Sequence, residues 1–376
     1  MSSIYIHIPY CKQKCSYCNF YYKTNQKDLS LLINSIIKEI SITKDFLKKK
    51  ELISLYFGGG TPSIINNSNL NLIFNKIREH YLITSKTEIT IECNPEDLTE
   101  EKLKFFKKIG INRLSIGIQS FKDEDLIFMN RNHNSEQALY SVKTAKRIGF
   151  KNISIDLMYS LPNQSINDWK KNLKIALELN IQHISSYSLS IEEKTKLQHL
   201  INKNILTELS DTESETHFQL LIDECKKNNF VQYEISNFGK KNYFSVHNKN
   251  YWTGNEYLGI GPSAHSFNGK IRRWNISNNT KYINHLKKNI LPYELEKLKN
   301  SDKFNEYIMT SLRTIWGVDL NTLNKRFGDE IYTYFGLQIK KWVKSKHLFV
   351  EKNKVYLTTK GKYISDSICS DLFIID

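Results

Sequence analysis

Three cysteines stand close together near the start of the chain, after a short strand-like alternation of residues. Cys11, Cys15 and Cys18 have the spacing C-x₃-C-x₂-C, and no fourth cysteine follows nearby. An iron–sulfur cubane usually takes four thiolates, so three thiolates would leave one iron open to a small molecule. Lys12 and Lys14 favour the thiolate form and offset the negative charge of a cluster. The segment therefore predicts a 4Fe–4S cluster with one exchangeable position.

A zinc site is the alternative interpretation of these thiols. Structural zinc normally takes four protein ligands, commonly from two C-x₂-C pairs. This chain has one such pair, because Cys93, Cys225 and Cys369 are isolated in the sequence. A fourth zinc ligand would have to come from elsewhere, for example from His7.

The composition is that of an ordinary globular protein. The chain has 376 residues, of which 40% are hydrophobic and 25% are charged, as in typical soluble domains. It contains no apolar run of the length that a transmembrane helix needs. The first residues lack a basic region and a cleavage site, so we expect no signal peptide. A cytoplasmic location follows as an expectation, and there cysteines serve as thiols or metal ligands rather than disulfides.

The formal net charge of +15 comes from 54 basic and 39 acidic residues. Such a balance can mark a nucleic-acid-binding protein, which we keep as a third class of function. The lysines are scattered over the chain, however, and no basic stripe interleaved with stacking aromatics is present. We therefore expect no nucleic-acid partner.

Six strand-like stretches alternate with helical patterns over the first 235 residues. The predicted strands are 4–9, 52–59, 88–95, 113–120, 152–161 and 183–191. The predicted helices are 29–50, 68–81, 100–109, 135–148, 166–179 and 211–228. Alternating strands and helices indicate parallel strands joined by right-handed crossovers.

Polar residues recur at the carboxyl ends of these strands, which separates two possible folds. They are the cysteine loop, residues 58–61, Glu92, Gln119 and Asp156. In a barrel this rim carries the active site, whereas a flat doubly wound sheet binds ligands at its switch point. We therefore predict an α/β fold with a partial (β/α)₆ TIM-like barrel over residues 1–235.

The pattern changes after residue 235. Four glycines and several aromatics predict an irregular, loop-rich segment over 236–300 that packs on the barrel. Helical patterns resume near residue 303, and 346–359 predicts a hairpin around Lys352 and Asn353. Residues 301–376 are therefore predicted to form a small winged-helix-like domain.

A family resemblance rests on a series of motifs in one order. "CKQKCSYC" (11–18) resembles the cluster loop of radical S-adenosylmethionine proteins, with an aromatic residue directly before the third cysteine. The resemblance continues through "FGGGTPS" (57–63), "IECNPE" (91–96), "RLSIGIQSF" (113–121), "MNRNH" (129–133) and "IDLMYSLPNQS" (155–165). Together these motifs are similar to the coproporphyrinogen-oxidase-like branch of that superfamily, and they cover most of 4–270.

The resemblance implies that the open iron binds the amino and carboxylate groups of S-adenosylmethionine, and that electron donation from the cluster can cleave this cofactor. Arg131 can pair with the carboxylate through two hydrogen bonds. Tyr5 and Tyr17 are expected to wall the cluster and the adenine. The residues expected to bind the cofactor are Tyr5, Tyr17, Gly59, Gly60, Thr61, Glu92, Gln119, Arg131 and Asp156.

Each of these residues also has a purely structural explanation. A glycine run after a strand is most often a turn, Asp156 could cap a helix, and Gln119 could be a buried amide with its hydrogen bonds satisfied. The two tyrosines could belong to the core. The order of the motifs along the chain is what favours the functional interpretation.

Two subfamilies share this layout. The oxygen-independent coproporphyrinogen III oxidases carry a further cysteine where this chain has Phe20, and a long arm before the first strand. The haem chaperones of the branch resemble this chain more closely, with an HNxxYW motif that stands here as "HNKNYW" (247–252) and a segment similar to "GIGPSAHSF" (259–267). We predict a haem chaperone, with the oxidase, which decarboxylates porphyrinogen propionates, as the alternative.

The resemblance also implies ligands and partners. His247, beside Tyr251 and Trp252, could present an imidazole to haem iron, and it could equally cap a loop among packing aromatics. His265 and His7 are further possible ligands. The expected partners are haem, an acceptor protein with a possible peripheral membrane contact, and an electron donor such as a flavodoxin or ferredoxin.

Overall fold

A twelve-stranded sheet with a parallel centre organises the protein. The computed structural model describes residues 2–193 and 195–375. Its strands are β1 (Ser2–Ile8), β2 (Leu52–Gly59), β3 (Glu88–Cys93), β4 (Arg113–Gln119), β5 (Asn152–Tyr159), β6 (His183–Ser188), β7 (Val231–Glu234), β8 (Asn237–Gly239), β9 (Glu256–Ile260), β10 (His265–Phe267), β11 (Ile271–Asn275), β12 (Tyr293–Lys297), β13 (Val318–Asp319), β14 (Leu348–Glu351) and β15 (Lys354–Leu357).

The α-helices lie mainly between these strands. They are α1 (Leu29–Ile42), α2 (Asn67–His80), α3 (Glu100–Ile109), α4 (Asp123–Phe128), α5 (Ser135–Ile148), α6 (Ile166–Glu178), α7 (Lys196–Asn202), α8 (Asp211–Lys227), α9 (Val246–Trp252), α10 (Asn279–Lys287), α11 (Asn300–Leu312), α12 (Leu320–Phe327), α13 (Asp329–Lys344), α14 (Thr359–Tyr363) and α15 (Ser365–Asp371). No helix within the described ranges has the length and apolar character needed to cross a membrane.

The strand order confirms the predicted partial barrel. The order is β12-β11-β10-β9-β1-β2-β3-β4-β5-β6-β8-β7, so β1 to β6 lie side by side in chain order and pair in parallel. Right-handed crossovers between successive neighbours place every connecting helix on the same face of the sheet. A doubly wound sheet would reverse this order at its switch point. The helices therefore form an outer wall, and the opposite face of the sheet lines the barrel interior.

Alternation along the strands separates these two faces. In β5, Ile153, Ile155 and Leu157 belong to the main hydrophobic core, whereas Ser154 and Asp156 point to the other side, as period-two geometry requires. The side chains on that interior face are largely polar: Ser3, Ser54, Glu88, Thr90, Arg113, Ser115, Ser154, His183 and Ser185 are all buried. TIM barrels usually fill this space with bulky branched side chains. The polar interior of this barrel is therefore unusual and has to be explained by its functional site.

Local signals in the sequence explain where the outer helices begin and end. Thr99 accepts a hydrogen bond from Lys102 N at the start of α3, and Gly110 ends this helix with a φ of 107°. Asn134 and Gln137 form a reciprocal capping box at the start of α5. Prediction extended α1 to residue 50, but it ends at Ile42, because Thr43 N and Oγ1 both donate to Glu39 O and close the last turn.

The prediction that 236–300 is irregular is wrong. The segment supplies β8 to β12, and β9 pairs in parallel with β1, on the side opposite β2. Gly259, which suggested a loop, lies inside β9. A Cβ at this position would stand 2.1 Å from His265 O on the following strand, so the position requires glycine. The glycine therefore permits a close approach of two strands rather than a break in the sheet.

The last part of the chain has its own hydrophobic core and its own small sheet, in the order β13-β15-β14. Its elements follow the order helix, strand, two helices and hairpin, which is the order of a winged helix. The predicted hairpin is confirmed, and Lys352 and Asn353 both have positive φ at its two-residue turn. The boundaries of the three predicted domains stay a prediction.

Candidate cluster and cofactor site

The three clustered cysteines lie on the loop between β1 and α1. All three are partly exposed, whereas Cys93, Cys225 and Cys369 are buried. Two backbone hydrogen bonds anchor the loop. Cys11 N donates to Lys23 O at 3.0 Å, and Ser16 N donates to Met129 O at 3.1 Å. The second bond ties the loop to the segment that follows α4, across the rim from β1.

The loop thiols share one electrostatic environment. Burial raises the pKa of the Cys11 thiol to about 11; charge on Cys15 or Cys18 adds to this rise, whereas a hydrogen bond with Thr61 lowers this pKa. Burial and Cys15 also raise the pKa of Cys18. Among the described residues, no three His, Cys, Asp or Glu side chains form a set that could hold one metal ion. The assignment of the loop to a 4Fe–4S cluster stays a prediction, and the partly exposed thiols on one anchored loop fit it.

Arg131 joins the cysteine loop to the carboxyl ends of β3 and β4. Its Nη1 donates to Cys15 Sγ at 3.5 Å, and its Nη2 donates to Asn94 Oδ1 and to Gly117 O, both at 2.7 Å. Asn94 Nδ2 in turn donates to Thr61 Oγ1 at 3.3 Å. A continuous polar chain thus runs from Cys15 to the residue that follows the glycine run. Arg131 Nε is buried and has no hydrogen-bond partner, which leaves one donor for a bound anionic group.

Asn94 is a residue that our sequence analysis missed. It lies in the quoted segment "IECNPE", directly after β3, and an amide that follows a barrel strand was the available signal. Gly117 has a similar supporting role. A Cβ on Gly117 would stand 3.1 Å from Gln119 Nε2 and 3.3 Å from Arg131 Nη2. Glycine at this position lets both side chains lie against the strand.

The glycine run packs tightly against protein atoms. A Cβ on Gly60 would stand 2.5 Å from Tyr10 O, and one on Gly59 would stand 2.8 Å from the His7 ring. Gly59 also has a φ of 115°, which side chains rarely tolerate. The N–H groups of Gly59, Gly60 and Thr61 donate to Glu92, Ile8 and Tyr10 respectively. A ligand at this run would therefore meet carbonyl oxygens rather than free N–H groups.

Two carboxylates, Glu92 on β3 and Asp156 on β5, point into the barrel from the two strands that flank β4. Burial raises the pKa of Glu92 to about 7 although hydrogen bonds from Tyr56 and Gly59 lower it. Burial likewise raises the pKa of Asp156 to about 6, against hydrogen bonds from Ser185 and Ser115. Asp156 also raises the pKa of Glu92, so the two carboxylates lie close enough for their charges to interact. A cation or a hydroxyl-rich ligand would relieve this cost.

Gln119 reaches the site through an irregularity of the sheet. The register between β4 and β5 shifts between Gly117 and Gln119, and Gln119 has a φ of 67°. Such a bulge changes the direction of a side chain at the end of a strand. The amide is thereby placed beside Gly117 and the Arg131 guanidinium.

A polar cavity of about 230 Å³ lies inside the barrel and brings several predicted residues together. It contains Tyr5, Glu92 and Asp156. The full lining is Tyr5, Tyr56, Glu92, Arg113, Ser115, Asp156, Ser185, Tyr187, His247, Asn248 and Tyr251. Tyr17 is not part of this lining; it packs against the small cluster formed by Leu126, Met129, Met158 and Leu161. Cys15 contributes to the raised pKa of Tyr17, so this ring lies on the cluster side of the site.

His247 lies inside the barrel rather than at the surface. It is buried, and burial lowers its pKa to about 3. Ser54 Oγ lies 2.8 Å from its Nδ1 and donates to Ser3, so it accepts from Nδ1–H. The remaining lone pair, on Nε2, faces Tyr251 OH at 3.2 Å. Neither nitrogen is free for iron in this conformation, and the haem-ligand prediction for His247 stays a prediction.

His7 and His265, the other two histidines that the sequence suggested as haem ligands, lie near the carboxyl end of β1. His265 is exposed and its ring stacks on Trp274, with 5.9 Å between centroids. Burial lowers the pKa of His7 to about 4, and its Nδ1 lies 3.1 Å from Tyr5 OH. His265 also acts on the pKa of His7, so the two imidazoles lie near each other.

The comparisons with known proteins agree with this geometry. Residues 5–176 match the model of the radical SAM superfamily. The chain is 31% identical to the haem chaperone HemW of Bacillus subtilis over 98% of both chains. It is 35% identical to HemW of Buchnera aphidicola from Schizaphis graminum, over 97% of this chain and 96% of that one.

A solved structure shows the same fold. The radical SAM enzyme coproporphyrinogen III oxidase (HemN) from Escherichia coli superposes with a TM-score of 0.84, over 99% of this chain and 90% of that one, at 21% identity. This likeness concerns the fold alone. The similarity to the two haem chaperones extends over nearly the whole of each chain. The chain therefore belongs to the HemW family within the radical SAM superfamily.

Proposed function

We propose that this protein binds haem and transfers it to an acceptor protein, and that it carries a 4Fe–4S cluster and S-adenosylmethionine. The observation that carries the proposal is the similarity to proteins named haem chaperones, which extends over nearly the full length of both chains. The anchored loop with three partly exposed thiols supports the cluster. The polar interior of the barrel, beneath this loop, supports a polar cofactor.

Cys11, Cys15 and Cys18 would hold the cluster. A cluster with three protein ligands offers one iron to the cofactor and can supply an electron to it. Arg131, through its unpartnered Nε, would bind the carboxylate of the cofactor. Glu92 and Asp156 would bind its ammonium or ribose hydroxyls, because a cation or hydroxyl donor offsets the cost of burying two carboxylates.

Haem needs an iron ligand, and two histidines are proposed for it. His247 would have to displace the Tyr251 hydroxyl from Nε2 before it could bind iron. His265 needs no such rearrangement, since it is exposed and lies beside the flat ring of Trp274. Partial desolvation of the imidazole by its neighbours, together with the charge of Arg272, lowers the pKa of His265 although its side chain reaches solvent, which keeps the imidazole neutral and available to a metal.

A haem titration tests the proposal. The purified protein should give a saturable Soret shift with about one haem per chain, and the variant that removes the ligand, His265→Ala or His247→Ala, should lose or alter this shift. His217→Ala is the matched control, because His217 is as buried as His247 but lies on α8. A titration without saturation in the parent protein would contradict haem binding.

An acidic electron-carrier protein such as a flavodoxin is proposed to dock on the outer side of the cysteine loop. An open cavity of about 560 Å³ lies there, lined by Lys14, Tyr22, Lys23, Thr24, Asn25, Lys27 and Asp28. Phe20 beside it is 75% exposed. Burial and, to a smaller degree, the three loop thiols raise the pKa of Tyr22 to about 12, so this basic face lies close to the predicted cluster position. Positive charge there would attract an acidic partner and speed its association.

The rate of cluster reduction tests this docking face. In Lys23→Glu/Lys27→Glu, reduction by reduced flavodoxin should slow at low salt, while reduction by dithionite should stay unchanged. Lys340→Glu/Lys344→Glu is the matched control, since it changes the net charge equally on an exposed helix face of the last part of the chain. Equal slowing in both double variants would mean that net charge matters and the face does not.

A further inference from the structure

The "HNKNYW" segment forms part of the barrel interior. It forms α9, and the Glu88 carboxylate on β3 accepts hydrogen bonds from His247 N at 3.0 Å and from Ser245 Oγ at 3.4 Å. Glu88 is buried and lies near Arg113 Nε, at 3.9 Å. The start of α9 is therefore fixed to a strand of the barrel. The side chains of His247 and Tyr251 line the cavity that also contains Glu92.

The His247 ring is held on several sides. Ser54 and Tyr251 engage its two nitrogens at 2.8 and 3.2 Å. Its flat face stacks on Tyr56, with 4.8 Å between the ring centroids and an angle of 27° between the planes. The Tyr5 ring stacks nearby, at 6.1 Å. A ring fixed by two hydrogen bonds and an aromatic contact limits where Tyr56 can lie.

Tyr56 in turn orients Glu92. Tyr56 OH donates to Glu92 Oε1 at 2.8 Å, and Gly59 N donates to Glu92 Oε2 at 3.0 Å. These two bonds fix both carboxylate oxygens and place them between the barrel interior and the glycine run. A chain of direct contacts therefore leads from α9 through Tyr56 to Glu92.

We propose that His247 is a positioning residue for the S-adenosylmethionine site, which acts by holding Tyr56 and through it the Glu92 carboxylate. The proposal rests on the placement of the cofactor at Glu92 given above. It assigns the "HNKNYW" segment to the cofactor site, where it acts whether or not His247 also meets haem.

A double-mutant cycle tests the proposal on the anaerobically reconstituted protein, with the dissociation constant of S-adenosylmethionine measured by calorimetry. Tyr56→Phe and His247→Ala should each weaken binding, by roughly tenfold for the lost bond to the carboxylate. The double variant should bind no more weakly than the weaker-binding single variant, because both changes act on the same contact. His217→Ala should bind as the parent does. Fully additive losses would overturn the proposal.

The pH dependence of cofactor binding adds a readout that a general loss of structure would not change. Cofactor affinity should fall as pH drops through about 7, where Glu92 becomes protonated. The Tyr56 hydrogen bond and the charge of Arg113 on β4 lower the pKa of Glu92. The charge of Asp156 on β5 raises it. Both Tyr56→Phe and His247→Ala should therefore move the midpoint to higher pH. An unmoved midpoint in His247→Ala would contradict the proposal.

Glu92→Gln separates this proposal from the proposed function. If Glu92→Gln binds the cofactor as tightly as the parent, the placement of the cofactor is wrong and the positioning role falls with it. If Glu92→Gln weakens binding while His247→Ala does not, only the positioning role is wrong. Should His247→Ala fail to fold, Tyr251→Phe removes one hydrogen bond of the imidazole and keeps the ring. It should weaken cofactor binding in the same direction, and unchanged affinity would count against the proposal.

Discussion

The chain contains two sets of three cysteines in different surroundings. Cys11, Cys15 and Cys18 share one partly exposed loop, whereas Cys93, Cys225 and Cys369 are each buried in a hydrophobic core. A raised thiol pKa occurs in both sets. Burial raises the pKa of Cys11 to about 11 and that of Cys369 to about 12.

The two sets differ in whether the thiols lie near one another and in whether a metal can reach them. The loop thiols act on one another's pKa, and an arginine donates to one of them. The core cysteines lie in separate places, on β3, α8 and α15. Buried free cysteines behave as small apolar residues, and ligands must converge where a metal can enter. The spacing in the sequence and the partial exposure of the thiols therefore both favour Cys11, Cys15 and Cys18 as the predicted cluster ligands.

The largest expected effect is on iron content. Cys11→Ala, Cys15→Ala and Cys18→Ala should each lose the cluster, because removal of one of three thiolates leaves two irons without a protein ligand. Iron and sulfide per chain after anaerobic reconstitution measure this loss. Cys93→Ala and Cys225→Ala are the controls and should reconstitute as the parent does. Loss of the cluster in either control, with retention in Cys15→Ala, would reverse the comparison.

Arg131 is relevant to the comparison of the two cysteine sets, because it contacts a thiol of the loop set. Arg131→Ala should weaken S-adenosylmethionine binding by roughly tenfold or more, since a hydrogen bond to a charged group contributes about 1.5–3 kcal/mol. Calorimetry on the reconstituted protein measures the change. Arg147→Ala, at an exposed ion pair with Glu100, is the control and should leave the affinity unchanged. Unchanged affinity in Arg131→Ala would show that the guanidinium supports only the loop.

Substitution of a core cysteine should change the stability of the fold rather than the capacity to bind a cluster. Cys225 is fully buried between α8 and the sheet, so Cys225→Ala should lower the free energy of unfolding by about 1 kcal/mol through lost packing. Urea unfolding of the cluster-free proteins measures this change. The partly exposed Cys11→Ala should unfold close to the parent under the same conditions. A larger loss for Cys11→Ala would indicate that the loop thiols support the fold.

The parallel strands and the rim were readable from the sequence because their signals are local. Short apolar runs predicted β1 to β6. Polar residues such as Glu92 and Asp156, toward the carboxyl ends of these strands, predicted the rim. The pairing of β9 with β1 was not readable, since it joins residues more than 200 positions apart. Gly259 was misjudged for a different reason: glycine is needed there because His265 O on the next strand approaches closely, and this contact exists only in the folded sheet.

The interior contacts of the site were also beyond the sequence analysis. Tyr56 stands in a strand whose alternate residues, Ser54, Tyr56 and Gly58, are its less apolar ones, but the sequence analysis assigned no role to Tyr56. Nothing local showed that His247 would stack on Tyr56, because α9 and β2 are far apart in the sequence. The motif suggested a histidine beside aromatics, and the structure shows which aromatics they are.

The central claim is that this protein carries haem rather than making its porphyrin precursor. One anaerobic experiment tests it most directly. The reconstituted protein is incubated with coproporphyrinogen III, S-adenosylmethionine and a reductant, and a portion of the same preparation is titrated with haem. The account predicts about one haem bound per chain and no protoporphyrinogen. Protoporphyrinogen formed at several turnovers per cluster, without saturable haem binding, would contradict the account and identify an oxidase.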